Sequence, residues 1–219
     1  MQSDKTLLGI IFATLAALAN ATIGLFTNIG MNLSMSPNKI AFYRCLIALI
    51  ITTLYLYFTK NFQRVSVKNY LKISLCAFFG IFTLYFFETL SYQYTDIANV
   101  TFLLMGSSAL ITFVLGRILF SETLSSSKLL GFLVVFLGIF FMIYTKHAQL
   151  GNIIGNACAI IAGLGYALFL LFTRKFRIQA SLGILWYFFL AGTIYLSIPC
   201  IIENDFSIVA CAACNNLDV

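Results

Sequence analysis

Charge is what this sequence has least of. Asp, Glu, Lys and Arg make up 9% of its 219 residues, where water-soluble domains carry about 25%. So few polar groups cannot coat a soluble particle of this size, which excludes a water-soluble globule. The same shortage excludes a disordered chain, which needs low hydrophobicity and high net charge. Histidine occurs once, at His147, and the acids inside apolar runs come down to Glu88. That leaves no metal-ligand set and no acid–base pair to assemble. HExxH, GxSxG and GxGxxG motifs and a phosphate-cradling glycine loop are all missing, so the chain reads as no enzyme, with no catalytic residue, metal or cofactor.

What is present is apolar: 61% of the residues belong to the A/V/I/L/M/F/W/Y/C set. A bilayer core of about 30 Å takes roughly 20 such residues in a helix. Seven stretches qualify: Leu7–Gly30, Lys39–Phe58, Tyr70–Leu90, Ile97–Phe120, Leu129–Tyr144, Asn152–Phe172 and Ser181–Ile202, the fifth being the shortest. The class expected is an all-α integral membrane protein, a multi-pass bundle of seven transmembrane helices. The first run continues through Ile23, Leu25, Phe26 and Ile29, too long for a signal peptide, and reads as a retained span. Pro199 should kink the last span near its end.

Thirteen basic residues stand against seven acidic ones, for a net charge of +6. They sit between apolar runs, where they act as topology signals rather than as a nucleic-acid surface. Ten of the thirteen fall on the side where the N-terminus lies: Lys5, Lys60, Arg64, Lys68, Lys72, Arg117, Lys128, Arg174, Lys175 and Arg177. The N-terminus is therefore expected in the cytoplasm and the tail outside. Four cysteines lie within apolar runs and count as small hydrophobes. Cys211 and Cys214 form a CxxC in the tail that lacks the second ligand pair of a zinc site.

The first and sixth runs repeat each other. At an offset of 146 they share Gly9/Gly155, Ala13/Ala159, Ala16/Ala162, Leu18/Leu164, Ala21/Ala167, Leu25/Leu171, Phe26/Phe172 and Thr27/Thr173, eight identities in nineteen positions. The second and seventh align at Ile40/Ile184, Tyr43/Tyr187 and Leu46/Leu190. A repeat of five spans is odd, so its second copy starts from the opposite face. Inverted repeats of this kind mark secondary transporters whose substrate sites lie near the midplane. The expected units are a first five-helix repeat over 1–146, the first two helices of a second over 147–202, and a short external tail over 203–219. By internal arithmetic three spans of the second copy are missing.

Several stretches resemble the EamA-type transporters of the drug/metabolite transporter superfamily. They are Pro37 with IAFYRCLIA, ILFSETL with Glu122, Gly131 and Gly138 in LLGFLVVFLGIFF, and the Gly155-to-Thr173 copy of the first span. The resemblance covers most of residues 7–202. It implies ten spans in two inverted five-helix halves, both ends cytoplasmic, in a bacterial inner membrane, moving small metabolites. This chain departs from the pattern in ending after seven spans and in carrying Met105-Gly106-Ser107-Ser108 where a proline is common. It also has Phe188 where Arg44 would recur. A homo-oligomer, or a partner supplying the missing helices, is the protein partner that such a chain implies.

Polar groups within the lipid core mark candidate sites. A charge at mid-bilayer costs roughly 2.5–3.5 kcal/mol, so Arg44 and Glu88, at similar depth below the outer ends of their spans, are expected to face inward and interact. The alternative is that Arg44 snorkels to headgroups and Glu88 to solvent. On the first span Ala13, Ala17, Asn20, Gly24 and Thr27 share a face, which packing alone can explain. Asn20 lies near the midplane and repeats as Tyr166, and Ser107 and Ser108 reach comparable depth. Asn20, Arg44, Glu88, Ser107, Ser108 and Tyr166 are the substrate-path candidates. Arg117 and Glu122 close the fourth span as anchors. A retinal-type protein is excluded because Ser181–Ile202 holds no lysine, and no channel filter is visible. Two readings stand: a secondary transporter of small metabolites working by alternating access, or a non-transporting remnant or helper subunit.

Overall fold

The computed structural model describes residues 2–60, 62–120, 130–131, 133–134, 137–138, 152–179 and 181–202. Six long helices account for nearly all of them: α1 (Gln2–Asn32), α2 (Pro37–Thr59), α3 (Val67–Tyr94), α4 (Ile97–Phe120), α5 (Ile153–Lys175) and α6 (Leu182–Ile202). No strand occurs among the described residues. The fifth apolar run, Leu129–Tyr144, and Glu122 lie outside those residues, apart from short helical pieces that include Gly131 and Gly138. Among the described residues, nothing stands within 4 Å of where a Cβ would sit on either glycine.

Local chemistry sets the helix ends. Ser36 caps α2, its side chain accepting from the Lys39 amide at 3.4 Å, and Pro37 supplies a preset φ for the first turn. The same helix stops at Lys60, whose φ of 52° is left-handed. Asn152 caps α5 through the Ile154 amide at 3.2 Å, and Ser181 receives the Ile184 amide at 3.3 Å. A two-residue corner, Thr95–Asp96, joins α3 to α4. Pro199 lies inside α6, which runs on to Ile202.

Helix α3 is not regular throughout. Phe78–Thr83 forms a π-helical turn, and the Thr83 hydroxyl donates to the Phe78 carbonyl five residues back at 3.0 Å. Such a turn rotates everything after it relative to the preceding α-helix. Opposite it stands Gly165 of α5, where an added Cβ would lie 2.8 Å from the Phe79 carbonyl. Only a side chain of hydrogen lets the two backbones meet there.

The bundle pairs α2 with α6, α4 with α5, and α3 with both α5 and α6. The core lies between α2, α3 and α6, around Ala41, Cys45, Cys76, Ala77, Phe188 and Leu196. Ile51, Phe58, Phe102, Ile118 and Ile198 stay open on the outward faces. Among the described residues, five helices are long and apolar enough to cross a membrane, and lipid is the medium that covers such faces. The chain is a multi-pass integral membrane helix bundle.

Candidate functional site

Arg44 on α2 and Glu88 on α3 meet inside the bundle. Arg44 Nη2 donates to Glu88 Oε2 at 2.8 Å, and their side chains keep 21% and 12% of their exposure. The carboxylate carried by α3 answers the arginine's charge where water is scarce. Tyr85, one turn before Glu88, slides its ring under the guanidinium, 3.7 Å from ring centre to Cζ. A desolvated cation–π contact of this kind is worth about 2 kcal/mol. The second terminal nitrogen, Nη1, is buried and has no hydrogen-bond partner among the described residues.

The pair borders a cavity of about 230 Å³. Its polar edge is Arg44, Glu88, Tyr85 and Tyr166, and apolar side chains make the rest. Ile23 of α1, Met105 of α4, Phe169 of α5 and Phe188 of α6 each reach it, so every described helix contributes. Phe169 stacks near Tyr166, with ring centres 6.5 Å apart, and meets Phe188 edge-on at 5.5 Å. A mostly apolar hollow with few, convergent polar groups is the usual form of a small-molecule site.

Of the six sequence candidates, Arg44, Glu88 and Tyr166 line this cavity. Ser107 and Ser108 do not. Each hydroxyl returns to its own helix, Ser107 to the Leu104 carbonyl at 3.1 Å and Ser108 to the Met105 carbonyl at 2.8 Å. Ser107 faces Gly163 of α5, where an added Cβ would press on its oxygen and come within 2.6 Å of the Leu104 carbonyl. Asn20 sits in α1 one turn before Ile23, and its side chain lies outside the described part of the structure. Tyr85 escaped the sequence reading, although its three-residue spacing from Glu88 put it on the same helical face. Phe169 was hidden among twenty-three phenylalanines, and Phe188 stood out only as the repeat counterpart of Arg44.

Residues 7–144 match the EamA-like transporter family over more than half of the chain. The chain belongs to that family. A protein of Archaeoglobus fulgidus named "Uncharacterized transporter" is 26% identical over 187 residues, covering 84% of this chain and 63% of that protein. "Uncharacterized transporter YyaM" of Bacillus subtilis is 27% identical over 162 residues, covering 67% of this chain and 49% of its own length. The chain thus spans about half to under two thirds of the length of these curated relatives. No solved structure matches it.

Proposed function

We propose that this EamA-family protein is a secondary carrier for small amphipathic solutes and that the Arg44–Glu88 cavity is its substrate site. The observation that carries the reading is the ion pair itself, held at the wall of an apolar hollow between helices. Charges so placed in a membrane are expensive, and a transport pathway is the common reason for keeping them. The free donors of Arg44 Nη1 suit an acceptor group on the solute, and the aromatic wall suits its apolar body.

Alternating access between inverted repeats fits the way equivalent positions gather. Ile23 and Phe169 correspond at the offset of 146, and Arg44 and Phe188 at 144; all four line the cavity. The Cys45 thiol lies 3.5 Å from the carbonyl of Phe189, its own counterpart in the repeat. This supports a first repeat over 1–146 and a second begun over 147–202, related by an axis near the α2–α6 crossing. We place the N-terminus in the cytoplasm and the membrane as a bacterial inner membrane, from the basic residues clustered at one end of the bundle.

One observation favours the second reading, in which this chain needs a partner or does not transport. Gly155 and Leu171 of α5 are buried, with Leu171 at 3% exposure, whereas Leu25, the counterpart of Leu171 in α1, is 58% exposed. Among the described residues, no atom lies within 4 Å of where a Cβ would sit on Gly9, the counterpart of Gly155. Helices from a second chain would cover that face. Reconstitution of the full chain in vesicles tests both readings. Solute flux abolished by Arg44→Gln establishes the carrier, and flux restored only by a co-reconstituted partner chain establishes the helper.

A further inference from the structure

A second cavity lies at the basic end of the bundle, away from the ion pair. It measures about 530 Å³ and opens between the α2–α3 connection and the α5–α6 connection. Arg64, Lys72 and Arg177 line it together with Ser66, Asn69 and Gln179. No acidic residue occurs anywhere in 60–72 or 173–187, and no carboxylate pairs with the three cations among the described residues. Like charges brought around one hollow repel each other unless an anion sits among them.

The walls are fixed rather than adventitious. Ser181 donates its hydroxyl to Gln63 Oε1 at 2.8 Å, and the Tyr187 hydroxyl donates to the Gln63 carbonyl at 3.2 Å, tying one connection to the other. Gly183 lets Gln63 lie against the start of α6, with an added Cβ only 3.2 Å from its side chain. Orientation in the membrane needs basic residues near this end and no particular arrangement of them. Lys60, Lys68 and Lys175 meet that need from outside the cavity, so the convergence of the other three asks for a separate cause.

We infer that this cavity binds a phosphate-bearing anion. Two arginine forks and an ammonium supply donors for several oxygens of one group, which a tetrahedral phosphate presents. The cavity lies at the ends of α2, α3, α5 and α6, the depth at which the phosphates of a lipid leaflet are found, and basic hollows between helices at that depth hold anionic headgroups. The ligand is the headgroup of a phospholipid with net negative charge or a soluble phosphate, and the site is independent of what the central cavity carries.

The test uses the full chain in phosphatidylcholine nanodiscs, with thermal unfolding followed through the fluorescence of Trp186. Phosphatidylglycerol in the disc should raise the midpoint. The rise should vanish in R64Q/K72Q/R177Q and survive in K60Q/K68Q/K175Q, which removes the same charge from the same face. Each single replacement in the cavity should weaken the apparent affinity about fivefold, and R64K/R177K guards against a variant that fails to fold. If inorganic phosphate in discs of phosphatidylcholine alone reproduces the rise, the natural ligand is soluble; if it does not, the ligand is the headgroup. Equal loss in both triple variants, or no response to either phosphate source, overturns the inference.

Discussion

The guanidinium of Arg44 sits over the ring of Tyr85, with Cζ 3.7 Å from the ring centre, and Tyr85 lies on the turn of α3 that also carries Glu88. The π-helical turn at Phe78–Thr83 precedes both residues and sets their direction. The acid and the ring thus reach the Arg44 of α2 because α3 is underwound just ahead of them. Their energies are coupled, since the ring and the carboxylate bind the same cation.

Removing one partner leaves the other charged and without its match. Arg44→Gln or Glu88→Gln should each lower stability by about 3 kcal/mol, and the double replacement should recover most of it. Thermal unfolding of the four proteins in detergent gives the coupling directly. Charge reversal at both sites should likewise restore the expression lost by either reversal alone. Additive losses would mean that the two side chains act separately.

Gly163 should tolerate nothing larger. Its α-carbon stands where a Cβ would come within 2.6 Å of the Leu104 carbonyl and 3.1 Å of the Ser108 amide nitrogen, both backbone atoms that cannot swing away. Gly163→Ala should therefore part α4 from α5 at a cost of about 1–3 kcal/mol. Gly116→Ala is the control: its Cβ would meet only a Leu171 methyl at 3.9 Å, and the loss of backbone freedom in the unfolded chain should raise stability by about 0.5–1 kcal/mol. Unfolding curves of the two variants should move in opposite directions.

The spans were legible because the bilayer asks for one thing, an apolar run of fixed length. Ile97–Phe120 coincides in sequence and structure. Elsewhere the helices run past the apolar limits, as α3 does from Tyr70 back to Val67 and from Leu90 on to Tyr94, since polar end turns stay helical in the headgroup layer. Arg44 and Glu88 were legible as a pair because isolated charge in lipid is costly. The azimuth of Ser107 and Ser108 was not, because depth along a helix says nothing about which side faces a cavity. Leu104 and Met105, one turn earlier, reach it instead. The π-turn left no periodic trace in the sequence.

Topology can be read with single cysteines. Cys45, Cys76, Cys158 and Cys200 are buried thiols outside any disulfide among the described residues, so a membrane-impermeant maleimide should leave them unlabelled in the native protein. With Cys211 and Cys214 changed to serine, Lys60→Cys should label only from the cytoplasmic side and Asn152→Cys only from outside. Both residues end helices at exposed positions. Labelling of the two from one compartment would remove the inverted relation between α1 and α5 and, with it, the carrier mechanism.

Trp186 offers a direct view of the α2–α6 crossing. Its indole Nε1 donates to the Thr53 hydroxyl at 2.7 Å, and its ring meets Phe62 edge-on at 5.5 Å. Alternating access requires α2 and α6 to shift against each other, which would lengthen or break this bond in one of the two states. Because the chain has a single tryptophan, a transported solute should change Trp186 emission in the wild type. Thr53→Val removes the acceptor while keeping the shape, and should cost about 1 kcal/mol. It should also shift the resting emission and shrink the solute-induced change. Emission that responds to the solute equally in wild type and Thr53→Val would mean that α2 and α6 stay locked through the cycle, and the moving interface would have to be sought between α3 and α5.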